Sequence, residues 1–221
     1  MQTQKQILIT AGSVWVPIDR VRVITNIFTG NTGLAIALEA ARRGFAVTLL
    51  LGPGGAKIPA SWPDNLKIIN FKYYDELYNL TKEHVASGKM SALVHTAAVP
   101  DYVPTEVFDG KIKSGQENLS ISFKPTVKIV DQVKIWDPQI FLVKFKLEVG
   151  LGVAELFAKA GESMSHSRAD LIVANDLSGY QARKAFIIDP AGNMVECLGN
   201  ENISANLVDI ISKKMGLTPC E

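Results

Sequence analysis

The chain has 221 residues, of which 47% are hydrophobic and 20% are charged, so it can bury a sizeable core and is not a disordered segment. Its net charge is +1 without a long run of one sign, which argues against a nucleic-acid-binding or membrane-surface protein. No apolar run could span a bilayer, and the N-terminal residues lack a signal-peptide cleavage pattern. Two cysteines, Cys197 and Cys220, form neither a disulfide framework nor a metal motif. We therefore expect a soluble, cytoplasmic α/β protein.

Short β-rich runs alternate with helical patterns along most of the chain. Strands are predicted at residues 6–10, 45–51, 66–71, 92–98, 141–149 and 170–174, followed by a hairpin of 184–189 and 194–198. Helices are predicted at 32–43, 75–87, 126–136, 153–165 and 202–215, with Gly44 as a C-cap and Asp75 and Asn202 as N-caps. Near-continuous apolar strands separated by helices predict a Rossmann-like, doubly wound, mostly parallel sheet with an antiparallel C-terminal hairpin.

The pattern loosens between residues 100 and 124. This stretch contains prolines, the segment KIKS and one alternating run, LSISF (Leu119 to Phe123). We interpret it as a flap within a single domain covering residues 1–221, because regular alternation resumes after it.

The connection after the first strand is the most informative part of the sequence. The strand ends at Gly12-Ser13, and the next helix starts only after a long segment that contains Asp19, Arg22 and Asn26 and ends in TGNTG (Thr29 to Gly33). Small residues there would let backbone amides approach a phosphate or carboxylate at the helix N-terminus, although the same glycines would also serve as turns. Loops of this length are usually functional in compact domains.

Other catalytic motifs are weak. The sequence Tyr180-Gln-Ala-Arg-Lys184 has the YxxxK spacing of short-chain dehydrogenases but runs directly into a predicted strand, and the second strand ends without the acidic residue that would bind a ribose. His95 lies in a buried strand, where a satisfied core histidine is more common than a catalytic base. There is no nucleophile elbow and no Walker A sequence. The remaining candidates are Asp101, after the fourth strand, and the lysines Lys111 and Lys113, which would offset phosphate charge if the flap closed.

Four ordered motifs carry a resemblance to a known family. TAGSVWVPIDRVRVITN (Thr10 to Asn26) followed by TGNTG, then AAVPDY (Ala97 to Tyr102), KIKS (Lys111 to Ser114) and DLIVAND (Asp170 to Asp176), resemble the motifs of phosphopantothenate–cysteine ligase. The similarity covers nearly the whole chain and is greatest to the free-standing bacterial form. The resemblance implies a homodimeric enzyme of coenzyme A biosynthesis that joins 4′-phosphopantothenate to cysteine. CTP or ATP, together with Mg²⁺, would first convert the substrate carboxylate into an acyl-nucleotidylate.

The resemblance also implies roles for individual residues. Asn26 matches the asparagine that binds the acyl intermediate, and Lys111 matches the flap lysine associated with the nucleotide; these two are the predicted catalytic residues. Predicted substrate-binding residues are Arg22, Asn26, Gly30 and Gly33. Predicted nucleotide-binding residues are Gly12, Ser13, Ala97, Ala98, Asp101, Lys111, Lys113 and Phe145.

Several positions depart from the family pattern. Val14-Trp15-Val16 replaces a polar T-x-E segment, Asn31 and Ser114 stand where many members have lysine, and a proline near the third helix is displaced toward Pro125. Two lysines one turn apart on the next helix are replaced by Glu162 and His166 in our alignment, with Lys159 as the nearest substitute. Two alternatives therefore stay open: a non-catalytic nucleotide- or phosphopantetheine-binding protein of the same fold, and an NAD(P)-dependent oxidoreductase.

Overall fold

The computed structural model describes residues 4–115, 117–177 and 184–216. The strands are β1 (Gln6–Ala11), β2 (Val16–Pro17), β3 (Val23–Ile24), β4 (Ala46–Leu51), β5 (Leu66–Asn70), β6 (Ala92–His95), β7 (Tyr102–Pro104), β8 (Phe123–Pro125), β9 (Phe141–Glu148), β10 (Leu171–Asp176), β11 (Lys184–Ile188) and β12 (Met194–Leu198). The helices are α1 (Asn31–Arg42), α2 (Tyr74–Ala86), α3 (Ile129–Trp136), α4 (Val153–Ser167) and α5 (Gly199–Lys214).

An eight-stranded sheet with the order β12-β11-β10-β9-β6-β1-β4-β5 forms the centre of the molecule. Six neighbouring strands of this sheet, β10, β9, β6, β1, β4 and β5, pair in parallel. Strands β11 and β12 extend the sheet antiparallel. The predicted fold class is therefore confirmed. The chain leaves β1 toward β4 and β5, and later returns to the other side of β1 through β6. A ligand site is expected at this reversal, beyond the carboxyl ends of β1 and β6.

Two hydrophobic cores cover the two faces of the sheet. The first contains Ile36 and Ala40 of α1 together with Leu207 and Ile211 of α5. The second contains residues of α2, α3 and α4, among them Leu77, Val133, Leu156 and Ala160. Because both faces are covered, the parallel strands are apolar on both sides and read as continuous hydrophobic runs.

The structure corrects several predicted boundaries. Strand β6 ends at His95 instead of residue 98, and α3 starts at Ile129 instead of residue 126. Phe123, the last residue of LSISF, begins β8, which pairs with β7. Neither predicted N-cap is correct. Tyr73 and Leu198 occupy the N-cap positions of α2 and α5, while Asp75 and Asn202 lie inside the first turns.

The long first connection contains a short antiparallel pair that the sequence analysis did not predict. Strands β2 and β3 form a two-stranded hairpin, and β7 and β8 form a two-stranded ribbon at the base of the predicted flap. The predicted C-cap is displaced by one residue: Arg43 is the C-cap of α1, and Gly44 follows it with a φ of 87° and an N–H that donates to Ala41 O at 3.0 Å. The predicted C-terminal hairpin is also present, with Ile188 paired with Met194.

Two features lie wholly or partly outside the described residues. Cys220 is one of them, and residues 180–183 of the YxxxK sequence are the other. Lys184 of that sequence begins β11. Within the described ranges, no helix combines the length and the apolar composition that a membrane crossing requires.

Two glycines set the distance between α1 and the sheet. Gly30, the N-cap of α1, has a φ of 86°, and a Cβ there would lie 2.8 Å from Gly12 N. At Gly33, a Cβ would lie 2.5 Å from both Ala11 Cβ and Thr96 Oγ1. The helix N-terminus can therefore approach the ends of β1 and β6 only with glycine at these positions.

Replacing Gly33 with alanine should destabilise the protein by about 1–3 kcal/mol, because the new methyl group overpacks the contact between α1 and the sheet. The matched control is Gly161→Ala in α4, where a Cβ meets nothing within 4 Å. That change should be neutral or should stabilise by about 0.4–1 kcal/mol. Urea unfolding of both variants measures the difference, and equal free energies of unfolding would contradict the close packing of α1.

Candidate functional site

A cavity of about 180 Å³ lies where the strand order reverses. Its walls come from the carboxyl ends of β1, β6, β9 and β10 and from the N-terminus of α1. The residues lining it are Gly12, Phe28, Thr29, Gly30, Asn31, Thr32, Gly33, Thr96, Ala97, Ala98, Phe145, Leu147 and Asn175. We call it the first cavity.

The N-terminus of α1 gives the first cavity a positive electrostatic character. Gly30 provides no capping side chain, and the first turn of the helix contains no acidic residue. Asn31 does not cap the helix, since its Oδ1 accepts the N–H of Lys57 at 2.9 Å. Backbone amides at a helix N-terminus and the helix dipole together favour an anionic group at this position.

A second cavity of about 160 Å³ adjoins the first, and Ala97 and Phe145 line both. It lies between the ends of β6 and β9, the start of α3 and the last turns of α4. The residues lining it are His95, Ala97, Val99, Pro100, Asp101, Thr126, Lys128, Ile129, Val130, Lys144, Phe145, Lys146 and Ser163. Three lysines and one carboxylate make this second cavity more positive than the first.

His95 is a core histidine on the wall of the second cavity, as the sequence analysis expects. Its Nδ1 is hydrogen-bonded to the Thr10 hydroxyl at 2.9 Å, and that hydroxyl also accepts the N–H of Ala97 at 3.3 Å. Burial, and to a smaller extent the positive charge of Lys144, lower the pKa of His95 to about 4. The imidazole is therefore neutral at physiological pH and acts as a fixed polar group.

Lys144 crosses from the sheet to the end of α4. Its Nζ donates to Ser163 O and to Ser167 Oγ, both at 3.1 Å. Burial lowers its pKa; the Asp131 carboxylate raises it in part, and the nearby lysines lower it further. The position at the C-terminal end of a helix favours a cation.

The KIKS segment is attached to the first connection through its middle residue. Ile112 is buried, its N–H donates to Asp19 Oδ2 at 3.1 Å, and its carbonyl accepts from Arg22 Nη2 at 3.1 Å. Asp19 also accepts the N–H groups of Val21 and Arg22. Burial alone would raise the pKa of Asp19, but these backbone donors and the Arg22 guanidinium outweigh it and lower the pKa.

The structure brings together seven of the predicted site residues. Those lining one or both cavities are Gly12, Gly30, Gly33, Ala97, Ala98, Asp101 and Phe145. Asn26 lies at the rim, where its Nδ2 donates to Ala98 O at 3.0 Å.

The other predicted site residues line neither cavity. Ser13 is buried and its hydroxyl donates to Pro53 O at 2.7 Å, while the Arg22 guanidinium is bound to Asp19 and Ile112. Lys111 and Lys113 are exposed on either side of Ile112. In this conformation, the lysines predicted to contact the nucleotide lie away from the cavities, and the second cavity is lined by Lys128, Lys144 and Lys146 instead.

The positions that depart from the family pattern also have defined places. Glu162 is exposed and the His166 side chain is 75% exposed, with its Nε2 3.3 Å from Asp131 Oδ2. Neither lines a cavity; Ser163, one residue further along α4 than Glu162, does. Trp15 lines neither cavity; its backbone N–H donates to Lys72 O at 2.8 Å, and the Lys72 ammonium lies 5.9 Å from the centre of its ring.

Sequence reasoning missed several residues at the cavities, and three of them are polar side chains on the strands or directly after them. Thr96 and Asn175 line the first cavity, and Lys144 lines the second. Asn175 lies in the DLIVAND motif, so its position after a predicted strand was a usable signal. Thr96 follows directly after β6, but the predicted strand of residues 92–98 contained it and hid this signal. Lys144 gave no such signal, because an alternating lysine in a strand usually indicates a solvent-facing side chain.

The described residues do not form a cage for a metal ion. Within the described ranges, no group of three or more histidine, cysteine, aspartate or glutamate side chains could hold one. Among the residues lining the two cavities, Asp101 provides the one carboxylate, and it lies 3.6 Å from Lys128 Nζ.

The buried His95 should make the stability of the protein depend on pH. An unfolded histidine has a pKa near 6.5, so the unfolded state binds more protons than the folded state between about pH 6.5 and 4. The contribution is fully present above pH 6.5 and is lost as the pH falls, by at most about 3 kcal/mol. His95→Gln removes this titration. Urea unfolding between pH 7.5 and 4.5 should therefore show a shallower decline for the variant, and parallel curves would contradict the assignment.

Comparisons with known proteins agree with this architecture. Residues 2–215 match the family described as the DNA/pantothenate metabolism flavoprotein C-terminal domain. The coenzyme A biosynthesis bifunctional protein CoaBC of Thermococcus kodakarensis is 35% identical over 184 residues, which are 83% of this chain and 44% of that protein. The chain thus spans about half the length of the curated relatives it matches.

Solved structures show the same fold. The DNA/pantothenate metabolism flavoprotein from Streptococcus pneumoniae superposes with a TM-score of 0.86 at 29% identity, covering 96% of this chain and 100% of that chain. A Cab2 mutant in complex with phosphopantothenate-cysteine superposes with a TM-score of 0.74 at 16% identity, covering 95% of this chain and 87% of that one. The second likeness concerns the fold alone.

Proposed function

The chain belongs to the family of the DNA/pantothenate metabolism flavoprotein C-terminal domain, and on that premise we propose that it is a phosphopantothenate–cysteine ligase of coenzyme A biosynthesis. One observation carries the proposal. Residues of TGNTG, AAVPDY and DLIVAND, which are far apart in the sequence, line two adjoining cavities at one edge of the sheet. A Cab2 relative of the same fold is described in complex with phosphopantothenate-cysteine, the product of such a ligase.

The proposed reaction has two steps. A carboxylate oxygen of 4′-phosphopantothenate attacks the α-phosphorus of CTP or ATP, and pyrophosphate leaves. The cysteine amine then attacks the acyl carbon of the acyl-nucleotidylate, the nucleoside monophosphate leaves and the amine loses a proton. This chemistry requires positioned donors and cations more than a nucleophilic side chain, which agrees with a site whose one histidine is a buried neutral group.

The two cavities suit different parts of the reactants. The first cavity, with the N-terminus of α1 at Gly30 and Gly33, would bind an anionic group through backbone amides. The second cavity, with Asp101 and Phe145, would hold the nucleotide. Asn26 at the rim would bind the acyl intermediate between them, because its amide already lies against Ala98.

The β7–β8 ribbon and the segment between its two strands would complete the site by moving. Lys111 and Lys113 are exposed and line neither cavity, so contact with a triphosphate requires the flap to close. Magnesium would enter with the triphosphate, since Mg²⁺ is commonly bound by substrate phosphates and one or two carboxylates. Asp101 is the available carboxylate among the described residues that line the two cavities. Bound there, the cation would neutralise phosphate charge.

A homodimer and a cytoplasmic location, both predicted from the sequence, stay predictions. Exposed apolar side chains on the β2–β3 hairpin and the segment after it support the dimer, because such patches usually mark protein contacts. They include Val21, Ile24 and Ile27, of which Ile27 is 91% exposed.

The ligase assay is the direct test. Protein mixed with 4′-phosphopantothenate, cysteine, Mg²⁺ and CTP or ATP should release pyrophosphate and form the amide, with the preferred nucleotide giving the higher kcat/KM. The absence of turnover with both nucleotides would refute the proposal. Stabilisation in a thermal-shift screen by phosphopantothenate alone would then favour the non-catalytic binding protein, and stabilisation by NAD or NADP the oxidoreductase.

Asn26→Asp should lower kcat at least tenfold without a large loss of stability. The carboxylate cannot donate to Ala98 O and would repel both that carbonyl and an acyl phosphate. Asn79→Asp, at an exposed position of α2, is the matched control for the same chemical change. Steady-state turnover equal in the two variants would remove Asn26 from the mechanism.

Lys111→Ala should raise the KM for the nucleotide about tenfold or more, because a charge-assisted contact to phosphate is lost when the flap closes. The KM for cysteine should change little. Lys82→Ala, which removes an exposed lysine of α2, is the control. Unchanged nucleotide KM and kcat in Lys111→Ala would show that the flap lysine does not contact the nucleotide.

A further inference from the structure

Lys144 is a buried lysine that the proposed reaction has so far left without a role. Only 7% of its surface is exposed, and its ammonium lies between the wall of the second cavity and the last turns of α4. Two of its three N–H donors are used by Ser163 O and Ser167 Oγ. Among the described residues, no third acceptor is within hydrogen-bond distance.

The charge of Lys144 is not compensated like that of the other buried lysine. Lys134 Nζ lies 2.8 Å from Asp170 Oδ2 and also donates to Ile140 O. For Lys144, no carboxylate among the described residues lies within 4.0 Å. A buried cation without a carboxylate partner is costly, so its retention calls for a compensating ligand or function.

The Asp131 carboxylate does not form an ion pair with Lys144. Asp131 favours the charged form of Lys144 electrostatically, but its Oδ2 contacts His166 Nε2 and its buried Oδ1 has no hydrogen-bond partner among the described residues. The carboxylate thus stabilises the ammonium from a distance. It leaves the remaining N–H of Lys144 unused.

The other two lysines of the second cavity are already paired. Lys128 Nζ lies 3.6 Å from Asp101 Oδ1, and Lys146 Nζ lies 2.9 Å from Glu148 Oε1. Lys144 is therefore the cavity lysine whose charge is available to a ligand, within the part of the chain that the structure describes. Phe145, the next residue of β9, lines the same cavity and would hold the apolar part of that ligand.

We propose that Lys144 binds an oxygen of the nucleotide co-substrate in the second cavity through its third N–H. The inference rests on the proposed function, because it takes the second cavity as the nucleotide site. The acceptor is a phosphate oxygen of either nucleotide or, for CTP, the carbonyl oxygen of cytosine, and both are recognised by a donor-only ammonium. Ser163 and Ser167 fix the ammonium in place before the nucleotide arrives, which lowers the entropic cost of binding.

A lysine that only tied β9 to α4 would behave differently. It would stabilise the end of α4, and its removal would lower the free energy of unfolding without changing nucleotide affinity. A ligand-binding lysine changes the affinity for the nucleotide and leaves the KM for cysteine unchanged. Nucleotide affinity and protein stability therefore have to be measured on the same variants.

The test compares wild type with Lys144→Met, which keeps the apolar stem, and Lys144→Arg, which keeps the charge. Titration calorimetry with CTP and ATP should show about 10- to 100-fold weaker binding of the preferred nucleotide by Lys144→Met. Lys144→Arg should recover part of that affinity. Lys82→Met, in which an exposed lysine of α2 is lost, is the matched control and should bind like wild type.

Two further ligands identify the acceptor. If the partner is a phosphate oxygen, Lys144→Met weakens binding of inorganic tripolyphosphate as much as that of the nucleotide. If it is a base carbonyl, the variant weakens binding of cytidine and leaves tripolyphosphate unchanged. Equal affinities of wild type and Lys144→Met for all ligands would overturn the proposal.

A measurement on wild type covers the case in which Lys144→Met does not fold. In protein labelled with ¹³C at lysine Cε, the Lys144 resonance, identified by its absence from Lys144→Arg, should shift when CTP or ATP is added. No shift on saturation would overturn the inference. If wild type turns over and Lys144→Met binds the nucleotide as tightly as wild type, this inference alone is refuted. If wild type binds a nucleotide without turnover, the proposed ligase activity is refuted, and the same titrations still decide whether Lys144 binds the nucleotide. A wild type that binds neither nucleotide refutes both.

Discussion

Parallel pairing of β1 with β4 on one side and β6 on the other is the constraint from which the site follows. Thr10 lies opposite Leu50 in one register and opposite His95 in the other. The chain must leave the sheet in different directions on the two sides of β1, so a gap opens beyond its carboxyl end. The first cavity occupies that gap, and α1 reaches it only because of glycine at 30 and 33.

The same constraint explains how much could be predicted. Buried parallel strands and the glycines of the first connection have strong local signals, so the fold and most of the first cavity were accessible from sequence. The first residues of the helices were harder to predict. Residue preference indicated Asp75 and Asn202 as caps, whereas Glu76 and Asn202 accept backbone N–H groups from residues preceding their helices. The caps therefore depend on side chains inside the first turn, not at the cap position.

Side-chain positions that depend on tertiary packing could not be predicted from the sequence. Lys144 and Lys146 alternate with apolar residues in β9, a pattern typical of a strand with one solvent-facing side. Helix α4 covers that side, so Lys144 becomes a buried cation at the end of a helix. Likewise, KIKS indicates a charged loop, yet Ile112 is buried and only the lysines on either side of it are exposed. Neither outcome can be read from local periodicity.

The hairpin and the flap are joined along their backbones. Arg20 N–H donates to Gly110 O, and Phe108 N–H donates to Ile18 O, in addition to the contact of Asp19 with Ile112. These contacts couple the two segments, so the flap can move away from the hairpin only by breaking them. We therefore expect closure of the flap over the nucleotide to carry the hairpin with it, so that Lys111 and Asn26 approach their ligands in the same movement.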